Sequence, residues 1–381
     1  MARIIVGAYM FRYPLGGMLS WALQYIKGLD RLGHEVYVVE KAHYTDACYD
    51  PQRKVMTDDP SAGLKIVDDL LTSHGLGARW CMQDYQGRCH GLSSAKLAEL
   101  FRTADLFVDC GSHGSWLDEA GSVPCRILID GEPSYTQIRW QALQDSGQVV
   151  PAYDHYFTNG LLFGSPGCDA PALGKTWRPI PNPVDTTYYP LLPEPSSRKL
   201  TTVMNWSAHS TVEYRGERLG QKDVEFERFI GLPKRVGTEL EVAVAGNAPT
   251  DRLISNGWSV RDAQEVTRTV ESYRDYIAQS AGEFGVCKQV FVATRNGWFS
   301  DRSAAYLASG RPVILQDTGF SDVLPTGAGL FAVNNESEAA EAVEAVLSDY
   351  SNHAAEARRI AVEHLDAKQV MGGALDAVGI G

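Results

Sequence analysis

The pattern of apolar and polar positions divides the chain into short strands separated by longer amphipathic segments. Residues 4–8 (Ile4, Ile5, Val6, Gly7, Ala8) form an apolar, β-branched run, the composition of a buried strand. The loop Tyr13-Pro14-Leu15-Gly16-Gly17 follows. After it, Met18, Ala22, Tyr25, Ile26, Leu29 and Leu32 recur at helical spacing. Gly33 supplies a C-cap, and residues 34–39 begin a second strand. Strand, glycine loop, helix, strand is a βαβ unit, and such units build parallel sheets.

Further strands are predicted over residues 106–109, 126–130 and 156–158. Each runs into a polar or glycine-rich loop: Gly111-Ser112-His113-Gly114, Gly131-Glu132-Pro133 and Asn159-Gly160. In open α/β sheets the ligand lies beyond the carboxyl ends of the strands, so these loops are where acceptor contacts are expected. The chain then turns proline-rich (Pro181, Pro183, Pro190, Pro193, Pro195), which marks a domain boundary. Alternation resumes with strands at 201–205, 239–245, 290–294 and 312–315. Helices are predicted around 224–230 and over 272–279 and 300–309, the last closed by Gly310. Asn335 and Glu338 resemble a capping box for a helix over 336–347, and 352–375 reads as a helical tail with polar faces.

The 381 residues suffice for about two domains, and no run of about eighteen apolar residues suggests a membrane span. The formal net charge of −12 repels phosphate backbones and anionic lipid, which disfavours general nucleic-acid binding. Seven scattered cysteines fit a reducing compartment; Cys81 and Cys89 lie close, with His90 beside them, but no second ligand pair follows at zinc-site spacing. A cytoplasmic protein is expected.

Four groups of residues carry candidate chemistry. Ser300 is placed to cap a helix whose start, with Asp301, Arg302 and Ser303, offers backbone N–H donors to a phosphate, with Arg302 and Arg295 adding charge. A capped core helix with solvated arginines is the alternative. Arg215, Arg218 and Lys222 gather between a strand and a helix, where a donor diphosphate would need cations, or where a basic surface loop would be equally at home. Gly16-Gly17 permits close approach to a ligand, or only a tight turn; G-x-G-x-x-G is absent, so a nicotinamide enzyme is not supported. His113, Asp130 and Glu132 are candidate bases, or residues that order their own loops. No Asp-x-Asp pair and no cluster at metal spacing occurs, so a metal-independent reaction is expected.

Pro181-Asn182-Pro183-Val184-Asp185 with Tyr189-Pro190 resembles the Pro-Asn-Gly-Val-Asp…Phe-x-Pro linker of GT-B glycosyltransferases. Tyr306-Leu307-Ala308-Ser309-Gly310-Arg311-Pro312-Val313 resembles their Glu-Ala-Met-Ala-x-Gly-x-Pro-Val segment. Thr318-Gly319-Phe320 and residues 324–330 are closest to the group-1 and CgeB-like bacterial branch.

The resemblance implies an α/β fold, GT-B, with two Rossmann-like domains: an acceptor domain over 1–185, a linker over 186–199, a donor domain over 200–355, and a helix over 356–381 crossing back. It implies transfer of a hexose from a nucleotide-diphosphate sugar, a UDP-sugar favoured, to an acceptor hydroxyl, with no cofactor. Lys222 occupies the place of the donor-phosphate lysine, Thr318, Gly319 and Phe320 would line the sugar pocket, and Gly297 and Ala305 stand where the family has paired glutamates. A GT-B nucleotide-sugar epimerase and a non-catalytic sugar-nucleotide-binding protein are the alternatives.

Overall fold

The computed structural model describes residues 1–380. Two extended sheets organise the chain. In the first the strands lie in the order Trp177–Pro179, His155–Thr158, Cys125–Asp130, Leu106–Asp109, Arg3–Gly7, Glu35–Lys41, Trp80–Gln83 and Cys89–Gly91. All neighbours are parallel except the last pair. The second sheet is parallel throughout, in the order Ser259–Asp262, Leu240–Ala245, Leu200–Asn205, Gly282–Gly285, Val313–Gln316 and Leu330–Val333.

Each order reverses once, and the reversals locate the site. In the first sheet the chain runs outward one way from Arg3–Gly7, then returns to that strand's other edge with Leu106–Asp109. In the second, Leu200–Asn205 and Gly282–Gly285 play the same parts. Crossover connections on opposite faces part at such a point, leaving a crevice beyond the carboxyl ends of the two strands.

The first βαβ unit forms as its pattern predicts, with a helix over Gly16–Arg31 that buries Leu19, Leu23, Ile26 and Leu29 on the sheet. Asn335 caps the helix Glu336–Ser348 through the Glu338 amide at 3.0 Å. Two expectations are corrected. Residues 290–294 are not a strand but belong to the helix Gln289–Thr294, and the strand is Gly282–Gly285. Val290-Phe291-Val292 is a short apolar run, which periodicity cannot assign, and Gly-Glu-Phe-Gly lacks the β-branched content that marks a strand. Residues 215–222, expected as one loop between a strand and a helix, instead contain the turn and second strand of a hairpin, Val212–Tyr214 with Glu217–Leu219, with Arg215 and Gly216 at positive φ in its turn.

The two halves are joined by an apolar layer and by main-chain contacts. Tyr135, Ile138 and Tyr189 pack in one cluster with Phe291, Trp298 and Phe299. Gly160 bridges Trp298 in antiparallel fashion, and the Leu162 amide donates to the Asn296 carbonyl at 3.0 Å. The C-terminal helix Ala367–Asp376 lies on Gly16–Arg31, so close that a Cβ on Gly28 would meet the Ala367 carbonyl oxygen at 2.5 Å.

Candidate active site

At the crevice of the second sheet, two cations lie buried near one another. Lys222, the first residue of the helix Lys222–Phe226, and Arg302, in the first turn of Asp301–Ala308, are each 8% exposed. Arg302 donates to the Glu283 carboxylate and, at 2.6 Å, to the Val203 carbonyl oxygen. Lys222 has no such carboxylate. Burial, reinforced by the nearby Arg302 charge, lowers its ammonium to about 7. The same burial pushes the adjoining Cys287 thiol up to about 12, although Lys222 and Arg302 oppose the change, so this cysteine is not a nucleophile.

Several polar atoms around these cations are buried without a partner: both amide atoms of Gln221, Nη2 of Arg302, Oγ of Ser303 and Oε2 of Glu283. Buried polar groups are ordinarily hydrogen-bonded, and an unpaired one costs about 1–3 kcal/mol. Such a concentration beside two cations can receive a ligand that carries both anionic and hydroxyl groups. Ser300 sits in extended conformation just before the helix, as a cap position requires, but its side chain makes no capping bond. Asp301 beside it has its carboxyl raised by burial, against the pull of Arg302.

The other residues expected in the donor site have partners of their own. Arg215 is exposed on the hairpin turn and pairs with Asp169 at 2.6 Å, and Arg218 is exposed and donates to Thr211 at 2.8 Å. Arg295 is left-handed, at the end of its helix, and pairs with Asp322 at 2.8 Å. A Cβ on Gly16 would meet the Thr269 carbonyl oxygen at 2.2 Å, so this glycine serves the contact between the halves; Gly17 is less crowded, with Tyr273 at 3.9 Å. Thr318, Gly319 and Phe320 are buried: Thr318 donates to the Trp298 carbonyl at 2.6 Å, Leu162 closes over Gly319, and Phe320 packs on Phe299. Gly297 has φ +78, and Ala305 is core.

Across the cleft, the loops of the first sheet differ from one another. Asp109 accepts from the amides of Ser112, His113 and Gly114 and from the Tyr153 hydroxyl, which holds His113 exposed with φ +50. Asp130 is buried and accepts from Thr136, Gln137, Thr158 and the Glu132 amide, so its carboxylate orders its own loop. Burial pushes its carboxyl upward, and these hydrogen bonds counter it. Glu132 instead reaches the second half. Both its oxygens take hydrogen bonds from the Lys288 ammonium, the first at 2.6 Å, and His209 lies 3.8 Å away, stacked on Tyr135. Burial would raise the Glu132 carboxyl, but the charge and hydrogen bonds of Lys288, with His209 nearby, bring it down to about 2.

Lys288, His209, Gln221 and Glu283 were not indicated by the sequence. Glu283 lies within, and Lys288 just after, a strand that has no strand-like composition, and Gln221 differs from any surface glutamine only in being buried.

No protein-family model and no curated sequence matches the chain. Solved structures are similar to it over nearly their whole length. An alpha-glucosyltransferase in complex with UDP-glucose and DNA containing an abasic site has a TM-score of 0.57 at 9% identity, covering 99% of this chain and 98% of that one. AviGT4, a glycosyltransferase involved in avilamycin A biosynthesis, has a TM-score of 0.53 at 13% identity, with 99% and 97% covered. Anabaena Alr3699/HepE in complex with UDP-glucose has a TM-score of 0.58 at 12% identity, with both chains covered completely. Taken with the two parallel sheets and their paired crevices, these likenesses show that the chain has the GT-B glycosyltransferase fold.

Proposed function

We infer that the protein is a glycosyltransferase that moves a sugar from a nucleoside-diphosphate sugar to an acceptor hydroxyl. The observation that carries this reading is the buried pair Lys222 and Arg302 at the switch point of the second sheet, ringed by unpartnered polar atoms. UDP-glucose is the first donor to test, because similar folds hold UDP or UDP-glucose.

In the reaction the bond between the sugar's anomeric carbon and the diphosphate oxygen breaks, and the diphosphate leaves with the electron pair. The acceptor oxygen forms the new bond and gives up its proton. Negative charge grows on the leaving group, and fixed cations in a water-poor crevice stabilise it more than the ground state. Lys222 and Arg302 take that role. Gln221 and Ser303 bind ligand hydroxyls, and Glu132 is the base candidate that contacts the donor half, through Lys288, whereas Asp130 is saturated within its own loop and His113 is exposed on another. The proposed domains are the acceptor over 1–185, a linker over 186–199, the donor over 200–355 and the tail over 356–381, its last residue lying outside the described ones. The CgeB-like branch rests on residues 318–330 alone.

The test is release of UDP from UDP-glucose with and without a panel of glycan, small-molecule and DNA acceptors; DNA belongs there because one similar structure holds it. Acceptor-dependent release, lost in Lys222→Met, supports the transfer. Turnover of the sugar without any acceptor favours an epimerase, and binding without turnover favours a sugar-nucleotide-binding protein.

A further inference from the structure

Lys288 and Glu132 come from opposite halves of the molecule, 156 residues apart in sequence. Lys288 follows the strand Gly282–Gly285 at its carboxyl end, and the next residue, Gln289, donates its amide to the carbonyl of Gln221, the neighbour of Lys222, at 3.3 Å. Glu132 stands just beyond the carboxyl end of Cys125–Asp130 in the first sheet. The ammonium of Lys288 therefore belongs by position to the donor crevice and by pairing to the acceptor side. Glu132 is the carboxylate it pairs with, and both carboxylate oxygens are engaged.

We propose that Glu132 is a built-in competitor of the donor diphosphate for Lys288, so that the Glu132–Lys288 pair is a latch across the cleft which donor binding opens. This rests on the donor site assigned above. A diphosphate held by Lys222 and Arg302 brings about two negative charges to a crevice where Lys288 is otherwise neutralised by one. The ammonium then turns to the phosphate oxygens, and Glu132 is left without its ion pair. While latched, Glu132 has both oxygens occupied and cannot accept a proton from an acceptor hydroxyl. Once released, it can. Donor binding thus precedes and permits activation of the acceptor, which limits deprotonation to the loaded enzyme. Only the differential affinity of Lys288 for the two anions is needed to shift the equilibrium.

The competition makes an unusual demand on binding. Glu132→Gln keeps the shape of the side chain and removes its charge, so UDP should bind about tenfold more tightly than to the wild type, although a residue near the ligand has been altered. Lys288→Met should weaken UDP about tenfold. In the Lys288→Met background, Glu132→Gln should then have no further effect, because the object of the competition is gone; a double-mutant cycle isolates this coupling. Calorimetric titration with UDP reads all four proteins, and their melting temperatures verify folding. Should Glu132→Gln fail to fold, Glu132→Asp, which shortens the carboxylate's reach, should tighten UDP in the same direction.

Unchanged or weaker UDP binding by Glu132→Gln, or a gain that persists without Lys288, overturns the latch. Failure of the wild type itself to bind UDP or UDP-glucose would instead overturn the donor-site reading on which it rests.

Discussion

A side chain on Gly297 would meet the backbone nitrogen of Leu162 at 2.6 Å. Leu162 belongs to the first half and Gly297 to the second, so the space where the GT-B resemblance places a glutamate is filled by a backbone contact between the halves. Gly297 also has φ +78, which a residue with a Cβ adopts only under strain. Gly297→Ala should therefore cost about 1–3 kcal/mol in urea unfolding. Gly297→Glu, which restores the family residue, should be less stable still and bind UDP no better. A stable Gly297→Glu with tighter UDP binding would show that the contact yields to the ligand.

Lys222 gives a pH dependence whose sign follows from its position. In the unfolded chain a lysine keeps its proton to about pH 10.4. In the folded protein Lys222 keeps it only to about 7. Between these values the unfolded chain binds more protons, so the cost that Lys222 imposes on folding is complete below about pH 7 and eases as pH rises toward 10. Lys222→Met should accordingly stabilise the free protein at pH 7, by about 1 kcal/mol or more, while weakening UDP at least tenfold. Binding of a diphosphate should restore the lysine's proton, with proton uptake near pH 8 and little at pH 6. Titration in buffers of different ionisation enthalpy measures this directly, and the uptake should vanish in Lys222→Met.

The arginines separate by burial. Arg302→Ala leaves Glu283 charged and unpaired in the interior, a loss of about 3–5 kcal/mol. Arg218→Ala removes an exposed side chain that meets only Thr211, and should alter stability by no more than about 0.5 kcal/mol. It should leave UDP affinity nearly unchanged, whereas Arg302→Lys, which keeps a charge but loses the planar fork, should weaken it. Chemical denaturation and UDP titration check both.

Asp130 and Glu132 should respond to different degrees. Asp130→Asn disturbs a carboxylate that accepts four hydrogen bonds within its own half, and should lower the melting temperature. Glu132 is partly exposed but neutralises the buried Lys288 ammonium, so Glu132→Gln should lower the melting temperature as well, by less than Asp130→Asn.

What could be read from the sequence follows a physical division. The first βαβ unit, the Asn335 cap and the helix beginning near Ser300 rest on local periodicity and capping, which act over a few residues. Lys222 emerged through resemblance and through the cations around it. The sequence could not separate Lys222 and Arg302, which are buried, from Arg215, Arg218 and Arg295, which pair at the surface. Burial is a tertiary property, and a hairpin turn at Arg215-Gly216 decided it for two of them. Gly16 looked like a ligand glycine because a close approach needs the same residue whether the neighbour is a phosphate or the Thr269 carbonyl. The strand Gly282–Gly285, which sets the switch point, is held by its two neighbours rather than by its composition, and Lys288 and Glu283 were hidden with it.

On the proposed function, the crevice at Lys222 and Arg302 holds the diphosphate of a sugar nucleotide. The most direct test is calorimetric titration of UDP and UDP-glucose into the wild type and into Lys222→Met. One saturable site per chain is expected in the wild type, at least tenfold weaker in the variant, with the variant folded and melting no lower. Absence of binding to the wild type, or equal affinity in a folded Lys222→Met, would contradict it.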